Sequence, residues 1–550
     1  MTILAETSTA AEVLPSGPKA PAWLGPFDRR LSQASQWLNP ILVKEARQAL
    51  KSRQFAITFA LLLICGWGWS IVGLAMAGPG AGYTSTGPGM FVGYYMILAF
   101  PLLVIVPFGA FRSLASEQED RTYELLCITA LRPRQIISGK LGSALLQMLV
   151  YLSAISPCLA FTYLLRGISL PMILVVIFWT SLVSLGLSVI GLLLATMSTQ
   201  RHWQVVASVA MIAGLMILFW IAAMIIVNMV VFDSDFPVND PEFLVANGML
   251  LTAYVTYFAL VFLAAAARIT FASDNRSTKL RVVIALQFMC LAAWSAGIIA
   301  YWKSFDWEVL LIGTSFMLLH LFVTGALMTG ESPELSLRVR RSLPRSFLGR
   351  IFLTWFNPGP GTGYLFTVSL ALAGVCAAAL GLLAAGVALV STGRGFSQAE
   401  NVLAFAALGA CYLIVYLGLG LLLVRALRRW ITIKPEIAAM VNAILVVLGC
   451  VVPMVIQASS PAWYGSSYSL LHITNPFWST MHVSDGPGLP FETAPLLTLL
   501  GLAAAVVFVA NLPTIVREVR AIRIATPQRV VDEQSSPPPE SPFVPPTTAG

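Results

Sequence analysis

Charge is scarce in this chain. Only 11% of its 550 residues are Asp, Glu, Lys or Arg, while 57% are hydrophobic and the mean hydropathy is +0.81. A soluble domain carries roughly 25% charged residues, so a water-facing surface of this size could not be covered, and a large soluble domain is excluded. The seven cysteines are Cys65, Cys127, Cys158, Cys290, Cys376, Cys411 and Cys450. All but Cys127 fall in apolar runs, and none falls in a loop expected outside the cell. That excludes a disulfide framework and leaves the thiols as small apolar side chains. No Gly-x-x-x-x-Gly-Lys-Ser/Thr loop occurs, since Gly139-Lys140 lacks the earlier glycine, so no P-loop nucleotide site is expected. Histidine is limited to four residues. His472, His482 and Asp485 are the one set within reach of one another in an external loop, too weak a pattern for a metal site, and His320 reads as a hydrogen-bonded packing residue. No catalytic constellation and no cofactor are expected. The apolar runs are also essentially free of Asp, Glu, Lys and Arg, which weighs against ion-coupled transport. Gln147, Asn228, Gln287 and Asn442 are their main polar exceptions, suited to interhelical hydrogen bonds or to substrate contacts.

What the chain has instead is long apolar runs. About 20 apolar residues cross a hydrocarbon layer as a helix. Such runs lie near 55–77, 91–110, 137–165, 170–196, 204–231, 247–267, 282–301, 308–329, 364–390, 401–424, 438–457 and 495–512. An open sheet would leave unpaired backbone groups in lipid. The fold class is therefore all-α, a polytopic transmembrane helical bundle of about 12 spans.

The basic residues orient it. With the N-terminus inside and alternating spans, 30 of the 33 Lys and Arg fall in inside segments; only Arg166, Lys303 and Arg394 fall outside. One missed or extra helix would destroy the bias, so both termini are expected in the cytoplasm. The same bias accounts for the net charge of +8, and no nucleic-acid partner is inferred from it. Residues 1–35 have no apolar core and several Pro, Ser and Ala; they read as a flexible cytoplasmic tail without a secretory signal. Residues 530–550 are Pro- and Ser-rich and read as a disordered tail. The longest outside segment, 458–494, carries Trp463, Tyr464, Tyr468, Phe477, Trp478 and Phe491, aromatics that favour the membrane–water boundary, and has room for short helices dipping into the outer leaflet.

Two segments stand out. Residues 37–53 read Trp-Leu-Asn-Pro-Ile-Leu-Val-Lys-Glu-Ala-Arg-Gln-Ala-Leu-Lys-Ser-Arg. Asn39 suits a helix cap and Pro40 its first turn. Lys44, Arg47, Gln48 and Lys51 recur on one face and Leu42, Ala46, Ala49 and Leu50 on another. The pattern predicts an interfacial helix before the first span, anchored by Lys44, Arg47 and Lys51. The second segment is the inside loop 112–140. It runs Ser116-Glu117-Gln118-Glu119-Asp120-Arg121-Thr122-Tyr123-Glu124-Leu125-Leu126, then Leu131-Arg132-Pro133-Arg134-Gln135-Ile136 and Gly139-Lys140. Acidic residues, an apolar patch and basic residues come in turn, a surface suited to a cytoplasmic partner.

Both segments resemble those of ABC-2 type permeases, the membrane subunits of ATP-binding cassette transporters. Asn39 to Glu45 resembles that family's elbow helix. Glu-x-Glu-x-x-Thr-x-Glu-Leu-Leu at 117–126, followed by Leu-Arg-Pro-Arg-Gln-Ile at 131–136, resembles its coupling-helix loop. The resemblance covers roughly residues 36–270, the elbow plus six spans, as a permease core; 271–529 form a second six-span region. The chain departs from the pattern in having Arg121 where the family usually has Gly. No second coupling loop occurs, although Trp355-Phe356-Asn357-Pro358 echoes Trp37-Leu38-Asn39-Pro40.

The resemblance implies a transport subunit, not an enzyme, in a bacterial cytoplasmic membrane, acting as an exporter. ATP hydrolysis would belong to a separate ABC ATPase subunit, docked by Glu117, Glu119, Arg121, Glu124 and Arg134. A second permease chain, identical or not, and membrane lipid are the other partners implied. A secondary transporter and a non-transporting scaffold are the alternatives; co-purification with an ATPase separates the first reading from both.

Overall fold

The computed structural model describes residues 39–78, 85–119, 132–197, 200–231, 240–271, 273–301, 307–332, 336–342, 346–389, 397–459, 468–484 and 490–520, with single positions at 527, 529 and 532. Every regular element among them is helical. Among the described residues twelve helices are long and apolar enough to cross a membrane, so the chain is a multi-pass membrane protein. The chain divides into two compact units, Met1–Val238 and Asn239–Gly550.

The first unit holds α1 (Pro40–Leu50), α2 (Arg53–Ala77), α3 (Gly87–Glu119), α4 (Pro133–Leu164), α5 (Leu170–Ala195) and α6 (Arg201–Val231). The long helix α3 is its centre, with Phe91, Tyr94, Leu102 and Leu114 buried completely. Pro101 supplies no amide hydrogen, and the helix widens into a π turn over Pro101–Ile105, where the Val106 amide donates to the Pro101 carbonyl. The buried Ser184 hydroxyl of α5 donates to the Leu102 carbonyl within that turn. Such cross-helix bonds replace the water that hydrocarbon denies the backbone. Gly191 lets α5 lie close on α3, since an added Cβ would stand 3.0 Å from the Pro107 carbonyl oxygen. By contrast, α2 and α6 expose broad apolar surfaces, including Ile64, Trp67 and Ile71, and Trp220 and Met224.

The helix α3 runs nine residues beyond its expected end near residue 110, because Phe111, Leu114 and Ala115 still pack inward. Likewise α4 begins at Pro133, four residues before its expected start, with the Arg132 amide capped by the Gln135 side chain at 2.8 Å. Much of the expected inside loop is therefore helix.

The second unit contains α7 (Pro241–Ile269), α8 (Thr278–Tyr301), α9 (Trp307–Met328), the short α10 (Leu337–Ser342) and α11 (Phe347–Thr354), then α12 (Pro360–Leu389), α13 (Ser397–Leu427), α14 (Pro435–Ser459), α15 (Pro476–Ser484) and α16 (Thr493–Val519). The buried centre is α13, against which α9, α12, α14 and α16 pack. The packing division falls one helix earlier than the expected boundary at residue 270. The helix α7 belongs with α8 and α9: its Gly248 faces the Trp294 ring of α8, and its Tyr257 hydroxyl meets His320 Nδ1 of α9 at 2.9 Å.

Segment 458–494 does contain short helices, a 3-10 turn at Leu470–Thr474 and α15. They are fastened to α13, where Tyr412 donates to the Ile473 carbonyl at 2.7 Å and Tyr416 to that of Thr474. Phe477, Met481 and Phe491 remain exposed. The expected tails, 1–35 and 530–550, lie outside the described residues apart from Asp532.

Candidate functional site

The two segments singled out in the sequence meet in the first unit. Asn39 caps α1 as its residue type predicts, its Oδ1 accepting from the Ile41 amide at 3.1 Å. Its Nδ2 reaches across to the Ser138 hydroxyl at 3.3 Å and to the Gln135 carbonyl. The cap residue thus also pins α1 to the first turns of α4. Two glycines of α4 make room for that contact. An added Cβ at Gly139 would stand 2.8 Å from Ile41 Cβ, and one at Gly142 would stand 2.7 Å from a Leu42 methyl.

Between those glycines lies Lys140, whose side chain is 1% exposed. Its ammonium donates to Glu45 Oε1 of α1 at 3.0 Å and to the Ser113 carbonyl of α3 at 3.1 Å. It also pairs with Glu117 Oε1 of α3 at 3.1 Å. Lys44 adds a looser contact to the same Glu117 oxygen at 3.8 Å from a largely exposed position. One buried cation therefore holds three elements together: the short amphipathic helix, the end of α3 and the start of α4. Burying a charge is tolerable only where paired and hydrogen-bonded groups surround it, and all three ammonium hydrogens have an acceptor here.

The residues expected to dock a partner are distributed differently. Glu117 turns inward to Lys140, while Glu119, the last residue of α3, and Arg134, in the first turn of α4, are exposed. Arg121 and Glu124 lie outside the described residues. Lys44 and Arg47 on α1, and Lys51 just past its end, are exposed. The buried face of that helix is Ile41, Glu45 and Ala46, and Leu50 is exposed. A glutamate thus sits on the buried face of α1, with Lys140 opposite it. Glu45 and Lys140 are a buried ion pair that periodicity alone misses. The available signal is that each stands in a motif-bearing segment on a face otherwise made of Ile, Ala and Gly.

The second unit has its own buried cation, on different elements. Arg281, fully buried at the start of α8, donates to the Ser277 hydroxyl (3.1 Å) and the carbonyls of Trp355 (2.8 Å) and Gly359 (3.1 Å). It also pairs with Glu331 at 2.8 Å, just past the end of α9. The Glu331 carboxylate accepts in addition from the Ser277 hydroxyl and, at 2.7 Å, from the Gly359 amide. Glu518 of α16 accepts from the amides of Gly361 and Thr362 at 3.0 and 2.8 Å, capping the N-terminus of α12 from another helix. Gly359, with φ of 150°, makes the turn, and a Cβ there would strike the Glu518 carboxylate. Asn357-Pro358 comes after the short helix α11 and leads into α12, whereas Asn39-Pro40 opens an amphipathic helix. The sequence echo between them thus serves different local structures.

Two of the polar residues in the apolar runs, Asn442 and Asn228, form internal contacts, whereas the buried Gln287 amide has no hydrogen-bond partner among the described residues. Asn442 donates to Thr329 Oγ1 at 3.2 Å across helices, and Asn228 to the Met224 carbonyl of its own helix. His472 meets Gln457 at 2.9 Å, and His482 pairs with Glu492 at 3.0 Å while stacking on Tyr468. No cluster of metal-ligating side chains forms among the described residues, of which Asp485 is not one. The six described cysteines are free thiols.

No known protein family matches this chain, and neither a characterised protein nor a solved structure does.

Proposed function

We propose that this chain is the permease subunit of an ABC-2-type ATP-driven exporter in a bacterial cytoplasmic membrane, with both termini in the cytoplasm and α1 lying along the inner leaflet. A separate ATPase would dock on segment 117–134. What supports the reading is the Lys140 cluster. A permease driven from outside the bilayer needs its docking segment mechanically joined to its spans. Glu117, at the start of that segment, and Lys140, six residues past its end, are held 3.1 Å apart and both are tied to α1. Displacing segment 120–131 would therefore move the ends of α3 and α4 and the interfacial helix as one body. The π turn at Pro101–Ile105 offers α3 a place to bend above that body.

Exposed Glu119 and Arg134 remain for a partner to contact. An exposed rim charge is worth about 0–1 kcal/mol, but truncating a charge buried in a partner's groove costs about 2–5 kcal/mol, roughly 30-fold or more in affinity. Glu119→Arg should therefore release the ATPase from the purified complex at unchanged expression, while Glu334→Arg, elsewhere among the basic inside loops, leaves it bound. If both variants retain the ATPase and ATP-dependent transport, the docking role assigned to this segment is wrong. A preparation without any ATPase that still transports would favour a secondary transporter.

A further inference from the structure

The second unit contains a cavity of about 150 Å³ walled by α8, α9, α12 and α13. Among the described residues its lining is almost wholly hydrocarbon, with Phe288, Leu291, Met317, Gly374 and Ala378 around it. Among the described residues, hydroxyl groups enter only from Ser295 and Thr314, and no charged side chain lines it. The lining positions are 288–296, 310–321, 370–381 and 402–406. These are the later part of α8 and α12 and the earlier part of α9 and α13. They therefore belong to one half of the unit, the half away from the Arg281–Glu331–Glu518 cluster. That half lies within the membrane-crossing stretches of all four helices.

Three observations narrow what can fill the space. First, water is a poor occupant: a cavity of this size with apolar walls stays dry and takes a guest of about six carbon atoms. Second, the cavity is not sealed. Met317, Leu321, Ala371, Val402 and Ala406 are buried, but Phe288, Leu291, Gly374 and Ala378 are only half-buried. Third, the same helices expose apolar side chains beside it, with Ile312 68%, Leu380 66% and Leu383 66% accessible, so what lies outside is hydrocarbon. The small residues Gly374 and Ala378 keep the space open. A Cβ added at Gly374 would rest at 3.5 Å from the Phe288 ring, an ordinary contact that the fold tolerates.

We propose that this cavity binds one acyl chain of a bilayer phospholipid. The chain end inserts between α8 and α12 while the headgroup stays at the membrane surface on the side away from the basic loops. The binding is selected by shape, because lipid tails are already in an apolar medium and gain only packing contacts on entering. It stands apart from the permease reading and requires only that the chain cross a membrane.

The test uses the full-length chain in phosphatidylethanolamine–phosphatidylglycerol vesicles containing a trace of phosphatidylethanolamine with a diazirine near the end of one acyl chain. After irradiation, labelled peptides are quantified by mass spectrometry. Label at 291–296 and 374–378 should exceed, at least fivefold, that at the more exposed Leu380, Leu383 and Ile312. Filling the cavity by Ala378→Phe, or separately by the milder Gly374→Leu, should remove the excess and leave label at Leu383 unchanged. A free fatty acid carrying the same group forms the second arm. Label that tracks exposure alone in the wild-type protein, or an excess produced by the free acid and not by the phospholipid, would overturn the proposal. So would an excess that persists in both filled variants.

Discussion

Replacing Lys140 by Met tests the buried cation at the junction of α1, α3 and α4. The substitution keeps a flexible chain of similar length but removes the ammonium that meets Glu45, Glu117 and the Ser113 carbonyl at 3.0–3.1 Å. Two carboxylates, each itself mostly buried, would then face one another without their shared cation. Removing one partner of a buried ion pair costs about 3–5 kcal/mol. For a unit of this size each kcal/mol lowers a melting midpoint by about 2–4 °C, so a fall of roughly 6–20 °C is expected. The assay is thermal unfolding of the purified protein in detergent, followed by tryptophan fluorescence. Neutralising all three groups, in Lys140→Met with Glu45→Gln and Glu117→Gln, should restore much of the loss, because an uncharged replacement carries no unpaired charge. Lys44→Met is the control: its contact to Glu117 is 3.8 Å long with the lysine 62% exposed, worth about 0–1 kcal/mol. Should Lys140→Met melt with the wild type, or the triple variant be no more stable than the single one, the cluster is not holding the three elements together.

Gly139→Val places a branched side chain where even a Cβ would meet Ile41 at 2.8 Å; α1 should lift from α4, seen as faster proteolysis within 40–50, and protection equal to wild type would contradict the close packing. In the second unit, Arg281→Met strands Glu331 and should destabilise by about 3–5 kcal/mol, whereas exposed Arg338→Met, which pairs with Asp274, should cost under about 1 kcal/mol; comparable losses would show that burial is not what matters. In a cysteine-free background, single cysteines at Ser234 and Ser466 should react with an impermeant thiol reagent applied to intact cells, and one at Ser336 should not. Labelling at Ser336 from outside would reverse the orientation drawn from the basic residues.

Much of the architecture is written in one-dimensional pattern. Hydrocarbon demands that every backbone group be satisfied within its own segment, so an apolar run of the right length has one solution, and all twelve expected runs are helices in the structure. The Asn39 cap and Pro40 start of α1 were legible for a similar reason, since a cap depends on residues two or three positions away. Pairings between distant residues are different. Nothing near Glu45 in sequence indicates that its partner lies 95 residues on, or that Glu117 faces Lys140 rather than water. Hydrophobic periodicity treats Glu45 as a surface residue, and only the approach of α4 over Gly139 makes it a core one. The packing of α7 with the second unit was likewise invisible, because its apolar composition fits any neighbour, and Gly248 against Trp294 is a choice made in three dimensions. Composition and spacing set which segments enter the membrane, each by itself; the tertiary structure decided which buried charges neutralise one another, because that energy exists only once the helices have been brought within about 3 Å contact.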